Sequence, residues 1–216
     1  MKHSLRLPAL GLALALVAPE ASARLAPYGA AEHFRLIEPA SWLVENERGD
    51  PQKAGPCGGS NNDWGTPTYA VTEAAGGSML PIRLAETVYH PGHYRVALAV
   101  NSPTELPADP ETVEREGERG PVSVSATIQD PAAPPVLADG LFEHYERPAE
   151  MPIMFETEVR LPNIDCESCT LQIVQWMAEH GYNNPGGYSY HHCATLRITA
   201  DPNLPIDDRW PEDRAD

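Results

Sequence analysis

Five stretches of the chain alternate apolar and polar residues with the two-residue period of a β-strand. In residues 93–100, Tyr94, Val96, Leu98 and Val100 fall on one face. Residues 122–128 (VSVSATI) alternate likewise, and residues 154–161 set Phe155, Thr157, Val159 and Leu161 against Glu156, Glu158 and Arg160. Residues 170–177 (TLQIVQWM) and 195–199 (TLRIT) are two further expected strands. No segment keeps a helical period over three turns, and 23 prolines and 16 glycines disfavour long helices. Short strands with turn-rich connections argue for an all-β, antiparallel β-sandwich with long loops.

The segments between the strands divide the chain. Met1-Lys2-His3-Ser4-Leu5-Arg6 is basic, residues 7–18 are apolar, and Ala21-Ser22-Ala23 is a small-x-small exit. That order reads as a signal peptide over residues 1–23, cleaved after Ala23. The apolar run falls short of the roughly 20 residues that a membrane anchor needs. The protein is therefore expected to be exported, to a periplasm or beyond. Residues 24–32 form a leader whose removal the sequence leaves open, 33–201 the sandwich domain, and 202–216 an acidic tail expected to fray. Residues 47–64 are rich in Gly, Pro, Asn and Asp and read as a long loop. Residues 102–120 are charged and proline-rich and read as a mobile surface insertion.

Charge narrows the partners. Fifteen basic against 31 acidic residues give a net charge of −16, which repels nucleic acid and anionic lipid. The expected partners exclude nucleic acid, no membrane span is expected, and the chain is expected to be monomeric.

The even set Cys57, Cys166, Cys169 and Cys193 implies two disulfides in an exported chain, where thiolates for zinc would not stay reduced. The last two strands form a hairpin whose loop centres on residues 182–187, which places Cys193 opposite Val174 or Ile173. Cys169 then lies several residues along its strand at ~3.3 Å per residue, too far for the ~7 Å that a disulfide spans. That leaves Cys57 with Cys193, and Cys166 with Cys169 across a tight turn leading into the strand.

Histidine carries the candidate chemistry. Seven histidines follow the signal, and three clusters stand out: His33; His90-Pro91-Gly92-His93; and Tyr188-Ser189-Tyr190-His191-His192-Cys193. Pro-Gly at the centre of a type II turn brings His90 and His93 within ~7 Å, so both can approach one point. On a strand Tyr188, Tyr190 and His192 share one face, and His191 and Cys193 the other. Neutral imidazole suits copper or zinc in an oxidising compartment. Gln172 and Gln175 lie on opposite strand faces, either of them a candidate neighbour of such a pocket. Trp42, Trp64 and Trp176 are candidates for stacking on sugar rings.

These segments together resemble the lytic polysaccharide monooxygenases, secreted copper proteins. The resemblance rests on Pro39-Ala40-Ser41 six residues after His33, His90-Pro91-Gly92 before a core strand, and Tyr190 three residues before Cys193. It is carried further by Cys57-Gly58-Gly59 and by Cys166-x-x-Cys169-Thr170-Leu171-Gln172. It covers residues 32–200. It implies an immunoglobulin-like sandwich and a copper ion held by the imidazole and terminal amine of His33 together with His90. Tyr190 would be the axial neighbour, and a chitin- or cellulose-like polysaccharide would dock on the flat surface around the metal. Reduced copper would activate O₂ or H₂O₂ to oxidise a C–H bond beside a glycosidic linkage.

One departure bears on that implication. The brace needs a free amine on His33, and Glu32 is a poor exit residue for signal peptidase whereas Ala23 is a good one. Without trimming, His33 and His90, helped by His93, would form a weaker site. The competing readings are a non-catalytic copper carrier of the same fold and a carbohydrate-binding sandwich with incidental histidines. Glu156 and Glu158, the nearest thing to a hydrolytic carboxylate pair, read as a solvated strand face.

Overall fold

The computed structural model describes residues 33–213. The expected signal peptide and leader over residues 1–32 lie outside the described residues. Among the described residues ten strands follow in order: β1 (Phe34–Glu38), β2 (Val71–Ala75), β3 (Met79–Glu86), β4 (Gly92–Ala99), β5 (Thr112–Gly117), β6 (Gly120–Ala126), β7 (Val136–His144), β8 (Ile153–Arg160), β9 (Cys166–Met177) and β10 (Ser189–Thr199). Among the described residues a single 3₁₀ turn, Pro103–Glu105, interrupts them. No helix among the described residues is long and apolar enough to cross a membrane.

The expected β-sandwich is present. One sheet runs β1-β3-β8, the other β2-β10-β9-β4-β7, and β5-β6 form a separate hairpin. Pairing is antiparallel except for β2, which lies parallel to β10. Between the sheets, Phe34, Leu36, Ile82, Leu84 and Val159 meet Tyr94, Val96, Leu98, Leu171, Ile173, Tyr190 and Leu196 in one core. These are the alternate positions of each strand, as a face buried on one side requires.

Five strands, β1, β2, β3, β5 and β7, were not expected from the sequence, each for a local reason. β1 and β2 are only five residues long. β3 alternates cleanly, with Leu80, Ile82 and Leu84 buried, but Pro81 within it argues against a central strand. Its proline is accommodated because β1 pairs with β3 only from Arg83 to Glu86, so Pro81 has a strand neighbour on one side alone. β7 slips register three times against β4 and holds Phe142 at positive φ, which breaks its period. The insertion over residues 102–120 is partly ordered: β5 pairs along β6.

Both disulfides join the expected partners, Cys57 with Cys193 and Cys166 with Cys169. Two details differ. Cys193 stands opposite Gln172, not Val174 or Ile173. Cys166–Cys169 lies inside β9, where the ladder to β10 slips between Leu196 and Ile198, and not in a turn before the strand.

The acidic tail is docked as far as Asp213. The Asn163 side-chain amide donates to the carbonyls of Asp201, Leu204 and Pro205, its carbonyl oxygen accepts from the Asp201 amide, and Trp210 is buried in the main core. The signal missed was that tryptophan, an expensive residue to leave in water. Trp210→Ala is expected to lower stability by about 3–5 kcal/mol. An unchanged urea midpoint would show that the tail does not contribute to the core.

Candidate functional site

At one end of the sandwich the two sheets bring together residues far apart in sequence. His33 immediately precedes β1, His90 lies two residues before β4, and Tyr190 is the second residue of β10. The His33 backbone is clasped on both sides: its N–H donates to the Arg48 carbonyl (2.9 Å), and its carbonyl accepts from the Thr87 and Val88 amides (2.9 and 3.3 Å). The 46–52 loop comes close enough to do this only because residue 49 is glycine. It has φ +103°, and a Cβ there would meet the Phe34 carbonyl oxygen at 1.8 Å.

In that frame His33 Nδ1 faces His90 Nε2 at 2.6 Å. The His33 ring stacks on Tyr190, with centroids 3.8 Å apart, and the Tyr190 hydroxyl reaches Asn183 Oδ1 at 3.3 Å. Burial, reinforced by the neighbouring imidazoles His90 and His180, holds His33 down to about 2. Burial and then His180 lower His90 to about 3. Both rings are therefore neutral at physiological pH and keep lone pairs for a hydrogen bond or a ligand. Two nitrogens bound to one ion at ~2.0–2.1 Å each stand at most about 4 Å apart, and the facing pair lies inside that limit. Among the described residues no three His, Cys, Asp or Glu side chains form a ready cluster of metal donors; the convergent set is this pair.

The other expected residues divide. His93 does not join His90. Gly92 lies against the Trp176 carbonyl, where a Cβ would meet the oxygen at 2.0 Å, so β4 begins at once and alternation turns His93 to the outer face of its sheet. There it is buried beside Trp176 and 3.8 Å from Asp139. His191 is also on an outer face, but it is fully buried within the sheet, with Nε2 2.7 Å from Asp109 Oδ1. His192 points inward: Nε2 donates to the Phe34 carbonyl at 3.0 Å, and Nδ1 lies 3.3 Å from Glu45 Oε1. Trp176 is 1% exposed and cannot stack on a sugar. Trp42 and Trp64, with Tyr69, line a groove of about 520 Å³ lower on the flank, next to Thr195.

Three residues of the site were not singled out from the sequence. Glu86, fully buried at the end of β3, accepts from the His90 amide (2.7 Å), the Tyr94 hydroxyl (2.9 Å) and the Gln175 amide (3.1 Å). His144 Nε2 stands 3.0 Å from the same carboxylate. Burial pulls His144 down, but the bond to Glu86, the Phe142 and His90 backbone contacts and the Glu86 charge together outweigh it, and the net shift is upward. Of the two glutamines, Gln175 is thus the one on the inner face. The signal for Glu86 was present, since Leu80, Ile82, Leu84 and Glu86 share one face at period two. His180 was given no signal, because it lies in the loop after β9; its ring is 4.9 Å from that of His90.

The chain matches no described protein family, and no curated protein is significantly similar to it.

Two outcomes follow from the buried carboxylates. Glu86→Ala strands a hydroxyl, two N–H donors and an imidazole, and is expected to cost about 3–5 kcal/mol in urea unfolding; a loss below about 1 kcal/mol would contradict the hub described above. Glu45 is raised from 4.5 to about 7, chiefly by burial. An acid raised in the folded state contributes stability that is full below pH 4.5 and is lost as pH rises through 7. Glu45→Gln should therefore gain on the parent by up to roughly 3 kcal/mol between pH 4.5 and 8. Parallel pH profiles for the two proteins would refute this. His192, lowered to about 4 mainly by burial, acts with the opposite sign: its stabilisation is full above 6.5 and lost as pH falls through 4.

Proposed function

We propose that this chain is an exported copper protein of the polysaccharide monooxygenase type, holding copper at His33 and His90 and acting oxidatively on an insoluble chitin- or cellulose-like polysaccharide. The observation that carries the reading is the facing of His33 Nδ1 and His90 Nε2 at 2.6 Å over the Tyr190 ring. The donor set is all nitrogen and neutral, which suits copper. When bound, copper supplies a one-electron redox couple that activates an oxygen co-substrate for attack on a C–H bond beside a glycosidic linkage.

The chain's own residues do the rest. Glu86 fixes the His90 backbone, and with it the direction of the Nε2 lone pair. The Arg48 and Thr87 contacts fix His33. Tyr190 covers one face of His33 and keeps water from that side. His93 has no part in this set.

A second reading, a copper carrier of the same fold, is favoured by one observation. His33 N is a peptide nitrogen in the full chain and donates to Arg48, so it is no ligand unless the chain is cut before it.

The experiment is to isolate the protein from its natural source, weigh it intact, and titrate it and His90→Ala with Cu(II). A mass beginning at His33, tight copper binding lost in His90→Ala, and reductant-dependent oxidised oligosaccharides are expected. A mass beginning at Arg24 with copper binding but no sugar oxidation would select the carrier. Undiminished binding in His90→Ala would overturn both readings.

A further inference from the structure

We infer that the flank groove lined by Trp42, Trp64 and Tyr69 binds an uncharged glycan chain, apart from the histidine pair and without a metal. The inference goes beyond the copper reading and needs neither His33 nor His90.

Position separates the two sites. Thr195 lines the groove and stands five residues along β10 from Tyr190, roughly 16 Å at ~3.3 Å per residue. Alternation puts Thr195 on the outer face of the sheet, whereas Tyr190 belongs to the core. The groove holds about 520 Å³ and runs into a second bay of about 550 Å³, the two sharing Gly55, Pro56 and Pro103. Each falls in the range of roughly 300–1,000 Å³ usual for small-ligand sites.

The aromatic rings are both presented and held. Trp64 is 69% and Tyr69 87% exposed. Trp64 lies over Gly59, where a Cβ would meet its ring at 2.8 Å, and the Cys57–Cys193 disulfide ties that loop to β10. The Trp42 amide donates to the Cys193 carbonyl (2.9 Å), and the Trp42 carbonyl accepts from the Thr68 amide (2.8 Å). Tyr69 follows at φ +57°, a left-handed conformation that a bulky residue rarely adopts. Strain of this kind gathers where a ligand is clamped. Rings fixed in this way suit a ligand with flat apolar faces, such as the C–H faces of pyranose rings.

The polar groups decide among such ligands. Gln172, 1% exposed, lines the second bay; its amide donates to the Pro56 carbonyl (2.8 Å), and its Oε1 has no hydrogen-bond partner. Trp42, which lines the first bay, likewise leaves Nε1 without an acceptor. An unpaired acceptor and an unpaired donor call for a ligand that carries both functions, as every sugar hydroxyl does. A proline-rich peptide, the other common guest of aromatic grooves, has no N–H at its prolines. Among the described residues no Lys, Arg or His lines either bay, and the Asp109 carboxylate lines the second. With a net charge of −16, the groove repels anionic sugars.

The test uses the full 216-residue chain in a metal chelator, with cellohexaose, chitohexaose and hexagalacturonate as probes and isothermal titration as the readout. Binding of cellohexaose or chitohexaose is expected, and none of hexagalacturonate. Trp64→Ala and Tyr69→Ala should each weaken binding at least about 10-fold, with unchanged urea midpoints because both rings are exposed. His90→Ala should bind as the unsubstituted chain does. If neither neutral probe binds, if hexagalacturonate or a proline decamer binds as well as they do, or if both aromatic variants bind undiminished, the groove has no such role and the copper reading stands untouched. Loss of glycan binding in His90→Ala would place the glycan at the histidine pair and overturn this inference alone.

Discussion

A carboxylate with no exposure to solvent is tolerated only where donors surround it, and at Glu86 those donors come from several elements at once. The carboxylate ends a strand of the smaller sheet. The Tyr94 hydroxyl and Gln175 amide reach it from two strands of the larger sheet, His144 from a third, and the His90 amide from the segment that enters β4. One side chain therefore fixes how the two layers meet at this end of the sandwich. His90 inherits its position from that junction, and the 2.6 Å approach to His33 depends on it in turn. The electrostatic arrangement is layered. A carboxylate lies behind His90, on its backbone side, while the rings in front are neutral and face nitrogen to nitrogen.

The same logic appears on the other side of His33. Glu45 and His192 are buried together under β1, with the Phe34 carbonyl and the Leu36 amide completing their hydrogen bonds. The first strand is short and has a single strand neighbour, β3. What holds it in place is this polar pair beneath it and the 46–52 loop beside it. Both ligand candidates are thus held by backbone contacts rather than by their own side chains, which leaves the imidazole nitrogens uncommitted to anything but each other.

Much of the fold was legible in the chain, because alternation survives wherever a strand is regular. Strand β8 shows on its face the residues that period two assigns it, and the hairpin register of β9 and β10 was close enough to pair the cysteines. Legibility failed where one residue masked a pattern, as Pro81 did in β3, or where bulges broke it, as in β7. At the site, His33, His90 and Tyr190 could be chosen because each sits beside a recognisable turn, strand or cysteine. His93 was misplaced because the expected type II turn does not form: Gly92 is already the first residue of β4, and alternation then turns His93 to the outer face. His180 was invisible for the opposite reason: only the hairpin packed against its loop brings it near, and that contact has no trace in local sequence.

The last strand has a position that its place in the chain conceals. β10 lies inside its sheet, between β2 and β9, and carries both Tyr190 and the cysteine that anchors the 46–59 loop. A chain made from its N-terminus therefore holds β2 without its strand partner, and the loop over His33 without its anchor, until Ser189–Thr199 has emerged. The first residue of the described fold and one of its last strands are completed in the same event. A ribosome that stops before Ser189 would release a product with both histidines of the pair and no pocket to put them in.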